Sequence, residues 1–374
     1  MRIRDGIKQA NTGLDAIKRA PILDYDTGLR CIRIQDISQN KEFDEWGFTE
    51  TTQRDKEKFL LKKNDILIAR TGATVGVSSH INNDIESVFN NGTVRIKTND
   101  KLDSKFLYYI FQTKEFLQYI DNISCVATQP NLRIEGLLRY TIPDIEITVQ
   151  RNIVKKLSVY DNLIENNNKR IKILEQMSEN LYKEWFVRFR FPGYENTDFV
   201  YGIPKGWKYK KLNEIFDVCY GKDHKNLEDG EVPVYGSGGI MRYCEKSLYE
   251  KESVLIPRKG TLNNIMYVNW SFWTVDTMFY TKLKFENMAK YMYYVMSNMN
   301  MESYNSGAAL PSMTTDILSH LKVIVPEKKL LKQFDEFVAV IFKQKVILEK
   351  KNKALIKQRD LLLPRLMSGK LKVK

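Results

Sequence analysis

The sequence predicts an α+β chain in which two globular domains are separated by two long helices that form an antiparallel coiled coil, with pseudo-twofold symmetry. Three observations carry this expectation. The chain repeats itself at about half its length, each half ends in a long helical stretch, and each half carries a β-rich run ahead of an aromatic helical segment. The implied layout is a first globular domain at 1–145, a first spacer helix at 146–190, a second globular domain at 191–326 and a second spacer helix at 327–374.

The repeat is diverged but readable. One copy has Gln129-Pro130-Asn131-Leu132, an apolar stretch ending at Ile142-Pro143, then Gln150. The other has Leu310-Pro311-Ser312-Met313, then Val323-Ile324-Val325-Pro326 and Gln333. Proline to glutamine is the same step in both, and the two glutamines lie 183 positions apart. Proline stops a strand and is tolerated ahead of a helix, so strand–proline–helix is the local reading. Upstream, Asp65-Ile66-Leu67-Ile68-Ala69-Arg70 matches Ser253-Val254-Leu255-Ile256-Pro257-Arg258. Each run ends in arginine and leads into a glycine-containing loop, TGATVG at 71–76 or KGTLNN at 259–264. Short aromatic helices are expected at 105–120 and 290–300.

The spacer helices follow from heptads. Ile153, Leu157, Tyr160, Ile164, Asn167, Ile171, Leu174, Ser178, Leu181 and Trp185 alternate steps of four and three. So do Phe334, Val338, Ile341, Lys345, Leu348, Asn352, Leu355, Arg359, Leu362 and Leu366. Each helix would run ~50 Å. Too little of either surface is apolar for it to stand alone, so the two are expected to pair. Asn167 and Asn352 would then face each other and pin the register, or else both face solvent.

Composition narrows the function. Hydrophobic residues make up 43% of the chain and aromatics 11%, enough for a sizeable core. Lys and Arg number 59 against 46 Asp and Glu, a formal net charge of +13 that points to an anionic partner. Nucleic acid is favoured over membrane, because no apolar run approaches the ~20 residues of a span and MRIRDGIKQA lacks the apolar core of a secretory signal. Cys31, Cys125, Cys219 and Cys244 are scattered, which suits reduced thiols and a cytoplasmic location.

Signs of catalysis are missing together. His80, His224 and His320 stand in no metal-binding spacing, and there is no phosphate-binding Walker loop and no Asn-Pro-Pro-Tyr-like run. Pro143-Asp144 with Glu146 has Thr148 where a nuclease motif needs lysine, so it reads as a strand-end turn. Gly236-Ser237-Gly238-Gly239 reads as a tight turn. No catalytic residue and no metal ligand is expected in this chain.

These features resemble the specificity subunit of type I restriction–modification systems. LLLPRLMSGKL at 361–371 is similar to that family's ending. QMSENLYKEWFVRFRFPGYE at 176–195 is similar to the end of its first conserved helix, and Gly202-Ile203-Pro204-Lys205-Gly206-Trp207 to the lead-in of a target recognition domain. The N-terminus lacks that Pro-x-Gly-Trp lead-in. The resemblance implies a non-catalytic subunit that reads a bipartite double-stranded DNA target. It implies docking of two methyltransferase (modification) subunits and of restriction (translocase–nuclease) subunits. S-adenosylmethionine, ATP and magnesium would belong to those partners. The alternative is a structural coiled-coil adaptor without sequence readout.

Base edges are read by side chains in the grooves, arginine suiting guanine and Asn or Gln suiting adenine. The expected contacts lie in loops after β runs. They are Arg70, Thr71, Thr74, Gln129 and Asn131 in the first half, and Lys222, His224, Tyr235, Ser237, Arg258, Lys259 and Thr261 in the second. Tyr108, Tyr109, Tyr293 and Tyr294 sit at helical spacing and are expected in the core.

Overall fold

The computed structural model describes residues 1–124, 131–305 and 311–367. The chain divides into two compact units, one made of Met1–Asn166 with Lys351–Lys374 and the other of Asn167–Lys350. The long helices run Ile147–Tyr182 and Lys328–Met367, so each unit holds one part of each. The first is followed by a π-helical turn, Lys183–Val187.

The strands of the first unit are β1 (Ile7–Thr12), β2 (Ile22–Leu23), β3 (Arg30–Ile32), β4 (Gly47–Thr49), β5 (Ile66–Ala69), β6 (Ser78–His80), β7 (Ser87–Phe89) and β8 (Thr93–Thr98). They form an antiparallel sheet in the order β1-β8-β5-β6 and a second sheet, β2-β4-β3-β7, whose β3–β7 pair is parallel. The apolar run that the sequence marked as β is the buried strand β5. Because side chains alternate across a strand, Ile66 and Ile68 join Phe106, Phe116, Ile153, Leu157, Leu363 and Leu366. Leu67 joins Cys31, Val88 and Phe89 on the other face.

The second unit has β9 (Phe199–Val200), β10 (Ile203–Pro204), β11 (Lys208–Lys211), β12 (Phe216–Tyr220), β13 (Val232–Gly236), β14 (Gly239–Cys244), β15 (Ser253–Pro257), β16 (Met266–Val268), β17 (Trp273–Thr274), β18 (Met278–Leu283) and β19 (Lys322–Val325). Its main sheet, β12-β18-β15-β16, repeats the order and the antiparallel sense of the first. Its second sheet, β14-β13-β17, again contains one parallel pair, β13–β17. Val254 and Ile256 pack with Trp185, Trp207 and Phe334, while Leu255 packs with Val234, Phe272 and Met278. The internal repeat is therefore one topology built twice.

Both units place a strand pairing just ahead of the junction proline. In the second unit β11 pairs with β19 just ahead of Pro326. In the first, Arg2 bridges Thr141, Ile3 N–H donates to Tyr140 O (3.0 Å) and Ile142 N–H to Met1 O (2.9 Å), just ahead of Pro143.

The expected 105–120 helix is two helices, Ser104–Phe111 and Lys114–Ser124. The break falls at Gln112-Thr113, where the Thr113 hydroxyl accepts the Phe116 N–H at 3.2 Å and starts a new helix. In the second unit the aromatic helix is Ala289–Ser297. The recurring glutamine has a structural role at Gln150. It is fully buried, accepts the Asp103 N–H (2.9 Å) and donates to Lys101 O (3.0 Å) and Ile145 O (2.7 Å). Asp103 in turn caps the aromatic helix through Phe106 N–H (3.0 Å), so one amide ties the start of the spacer helix to the domain.

Within each unit the spacer segments pair antiparallel. In the first, Arg359 Nη1 donates to Asp161 Oδ1 at 2.9 Å, and Leu157 packs in one cluster with Leu363 and Leu366. In the second, Lys345 pairs with Glu175, and Trp185 meets Phe334 with ring centroids 6.0 Å apart. None of the heptad positions is exposed. Asn352 is buried and Asn167 half-buried. As expected, Tyr109 and Tyr294 are core residues, donating to Asp161 Oδ2 (2.5 Å) and Ser178 Oγ (2.6 Å). Among the described residues no helix is long and apolar enough to cross a membrane. Among the same residues no group of three His, Cys, Asp or Glu is placed to hold a metal ion.

Candidate nucleic-acid interface

In the first unit β5 hands over to Arg70-Thr71-Gly72. Gly72 has φ +83°, which lets the chain turn sharply. The loop is pinned from three sides. Arg70 N–H donates to Gly92 O (2.9 Å), Gly76 N–H returns to Ala69 O (2.9 Å), and Leu132 N–H donates to Arg70 O (2.7 Å). Thr71 forms an antiparallel bridge with Asn131. Arg70 Nη2 donates to Asn131 Oδ1 at 3.1 Å, while its buried Nε has no partner among the described residues. Thr71 and Thr74 are half-buried and Asn131 is exposed. Gln129 lies outside the described residues.

The second unit repeats the arrangement. Gly260 has φ +87°. Arg258 N–H donates to Thr277 O (2.8 Å), Met313 N–H to Arg258 O (2.8 Å), and Lys259 bridges Ser312. Arg70 and Arg258 therefore occupy the same point of two copies, each tied to its own Asn131-Leu132 or Ser312-Met313 segment. The holding groups differ. Arg258 Nη1 donates to Asp276 O (3.2 Å), and its guanidinium lies 5.4 Å from the Tyr220 ring centroid.

Of the remaining expected contacts, Lys222 is held on the 274–278 loop. Gly221 N–H donates to Met278 O and Lys222 N–H to Thr274 O, both at 2.9 Å, and Trp273 Nε1 donates to Lys222 O (3.0 Å). Ser237 sits in the tight turn between β13 and β14. Its carbonyl accepts Asn264 Nδ2 (2.7 Å), and Asn264 N–H reaches Thr261 O (3.1 Å), joining the Ser237 and Thr261 loops. Lys222, Lys259 and Thr261 are exposed, and Ser237 and His224 half-buried. The first unit uses its 89–93 loop in the same way, with Gly13 N–H on Thr93 O (3.4 Å) and Leu14 N–H on Phe89 O (2.8 Å). Gly13 and Gly221 admit no side chain: a Cβ would lie 2.1 Å from Phe89 O or 2.0 Å from Val275 O.

Tyr235 departs from the expectation. It is 5% exposed and packs edge-on against Phe272, and burial pushes its hydroxyl up to about 12. β13 shifts register between Val234 and Tyr235, and both side chains join one buried cluster, so Tyr235 packs inward. Residues the sequence reading missed are Tyr220, Asp276 and Asn264. Tyr220 was within reach of that reading, as an aromatic immediately before Gly221-Lys222. Asp276 acts through its backbone carbonyl, which no side-chain pattern encodes.

Comparison with known proteins agrees with this architecture. Residues 25–176 and 204–358 match the family model described as Type I restriction modification DNA specificity domain. The chain is 27% identical over 361 residues to the Type I restriction enzyme MjaIX specificity subunit of Methanocaldococcus jannaschii, covering 88% of this chain and 82% of that one. It is 21% identical over 405 residues to the HindI specificity subunit of Haemophilus influenzae, covering 84% and 88%. The crystal structure of a type I restriction–modification S subunit from M. genitalium shares the fold, with a TM-score of 0.56 at 19% identity over 98% of this chain and 95% of that one. The two matched segments fall on the two copies of the sheet-and-loop arrangement, and the chain belongs to the type I restriction–modification DNA specificity family.

Proposed function

We propose that each unit reads one half of a bipartite double-stranded DNA target through its arginine loop and the segments pinned to it. The observation that carries this reading is the duplicated cradle: one topology twice, with unlike side chains at its rim, suits an asymmetric two-part sequence. The exposed and half-buried members of the expected set supply the contacts: Arg70, Thr71, Thr74 and Asn131 in one unit, and Lys222, His224, Ser237, Arg258, Lys259 and Thr261 in the other. The net charge of +13 supplies the sequence-independent part of the affinity.

The chain brings no catalytic residue of its own in this reading. Two modification subunits dock on it and methylate adenine with S-adenosylmethionine, and restriction subunits supply ATP- and magnesium-dependent cleavage. The helical connections between the domains set the spacing of the half-sites. Methylome sequencing of the host with and without the gene tests this. A bipartite methylated motif that disappears with the gene is the expected result. Binding to random duplex as tight as to any selected sequence would favour the adaptor reading instead.

A further inference from the structure

The two arginines at equivalent points are held more firmly than a phosphate contact needs. A phosphate can be met by any mobile cation, and Lys222 and Lys259 stand exposed in the second unit for that purpose. Arg70 and Arg258 instead sit on backbone pinned through both N–H and C=O. Each guanidinium is also tied once, Arg70 through Nη2 to Asn131 Oδ1 and Arg258 through Nη1 to Asp276 O over the Tyr220 ring.

A guanidinium has five N–H donors in one plane. With a single terminal N–H spent, and no further side-chain hydrogen bond among the described residues, the tied Nη keeps one N–H and the other Nη keeps two. One N–H from each Nη supplies the fork that matches guanine O6 and N7. A fork fixed before binding loses little freedom on contact, which favours a directional partner over a diffuse one.

We infer that Arg70 and Arg258 are equivalent guanine readers, one in each unit, so that each half of the target contains a guanine read at its major-groove edge. This rests on the reading of the chain as a DNA-specificity subunit. It makes Asn131 and Tyr220 positioning residues as well, acting through the arginine each one holds.

The test uses the full chain with its modification subunits. A random duplex pool is selected for binding, and the selected site is then remade with 7-deazaguanine, which removes N7 and keeps base pairing. The expected result is one required guanine per half-site. 7-Deazaguanine there should weaken binding about 10-fold, the size of one charge-assisted hydrogen bond. Arg70→Lys should shrink the effect in one half only and Arg258→Lys in the other, because lysine keeps the charge and loses the planar fork. Asn131→Ala and Tyr220→Leu should blunt discrimination at the same guanine as their arginine and leave the salt dependence of binding unchanged.

A half-site without guanine, or 7-deazaguanine tolerated by the wild-type chain, overturns the inference while leaving two-part recognition standing. So does an Arg→Lys variant equally weakened on all sequences. The 7-deazaguanine arm needs no variant, so it decides even if a substitution unfolds the protein. Selection of no bipartite site at all removes the underlying reading as well.

Discussion

In the first unit the β5 strand ends at an arginine held by an amide from a distant segment. In the second, the β15 strand ends at an arginine held by a main-chain carbonyl and an aromatic ring. At both arginines the backbone is pinned alike, N–H on one loop and C=O by a distant segment, with a positive-φ glycine two residues on. The difference teaches where divergence is tolerated. Main-chain pins keep the loop in place whatever its side chains are, so the groups facing outward can change without moving the scaffold. The same contrast recurs where each domain meets its spacer segment. Lys290 is buried between Glu252 (2.8 Å) and Asp335 (2.9 Å), whereas Lys105 at the matching helix position approaches Asp161 only at 4.0 Å.

If the pins are what the two units share, breaking them should cost most and cost both alike. Gly13→Ala and Gly221→Ala should each destabilise their own unit by about 3 kcal/mol, since the new methyl meets backbone oxygen that cannot rotate away. Urea denaturation checks this, and a loss under about 1 kcal/mol in either would show that its loop can shift.

The lysines should separate the units. Lys290→Met strands two carboxylates beside a buried site and should cost about 2–3 kcal/mol. Lys105→Met should cost under about 1 kcal/mol. Equal losses in thermal melts would erase the contrast between the two domain–helix contacts.

A smaller difference is expected at the paired tyrosines. Tyr109→Phe removes a hydrogen bond to a carboxylate that also holds Arg359, and should cost about 2 kcal/mol. Tyr294→Phe removes a bond to a serine hydroxyl that already donates to helix carbonyls, and should cost about 1 kcal/mol.

The smallest effect should appear at alkaline pH. Burial pushes the Cys31 thiol of the first unit from 9.0 up to about 12, and the Tyr182 and Tyr235 hydroxyls of the second from 10.0 up to about 12. The folded state then keeps protons that the unfolded chain releases. The stabilisation is complete below the unfolded pKa and is lost as pH rises toward about 12. Loss should begin near pH 9 for Cys31 and near pH 10 for the tyrosines. Between those two values Cys31 contributes about 1 kcal/mol at most. Cys31→Ala should delay the fall of the urea midpoint by about one pH unit, and an unchanged onset would mean that the thiol stays protonated in both states.

Much of this architecture was legible in the sequence because it is written in periodicity. Heptads mark the spacer helices, the buried strands β5 and β15 carry the apolar runs Ile66–Ala69 and Val254–Pro257, and Pro143–Gln150 and Pro326–Gln333 mark the same junction twice. Arginine followed by glycine located the loops for the same local reason: only a sharp turn needs that glycine. What tertiary structure alone decided is how those loops are held and which rim residues face outward. Tyr235 sits in a promising stretch yet turns inward, because β13 shifts register between Val234 and Tyr235 and both pack in the core with Phe272. Asn131 is brought to Arg70 from 61 residues away, and Asp276 serves through a carbonyl that every residue type shares. Helices and strands arise from short-range patterns that a chain carries on its face. The pairing of distant loops depends on which backbone groups remain unsatisfied once the sheets have closed, and that is settled only in three dimensions.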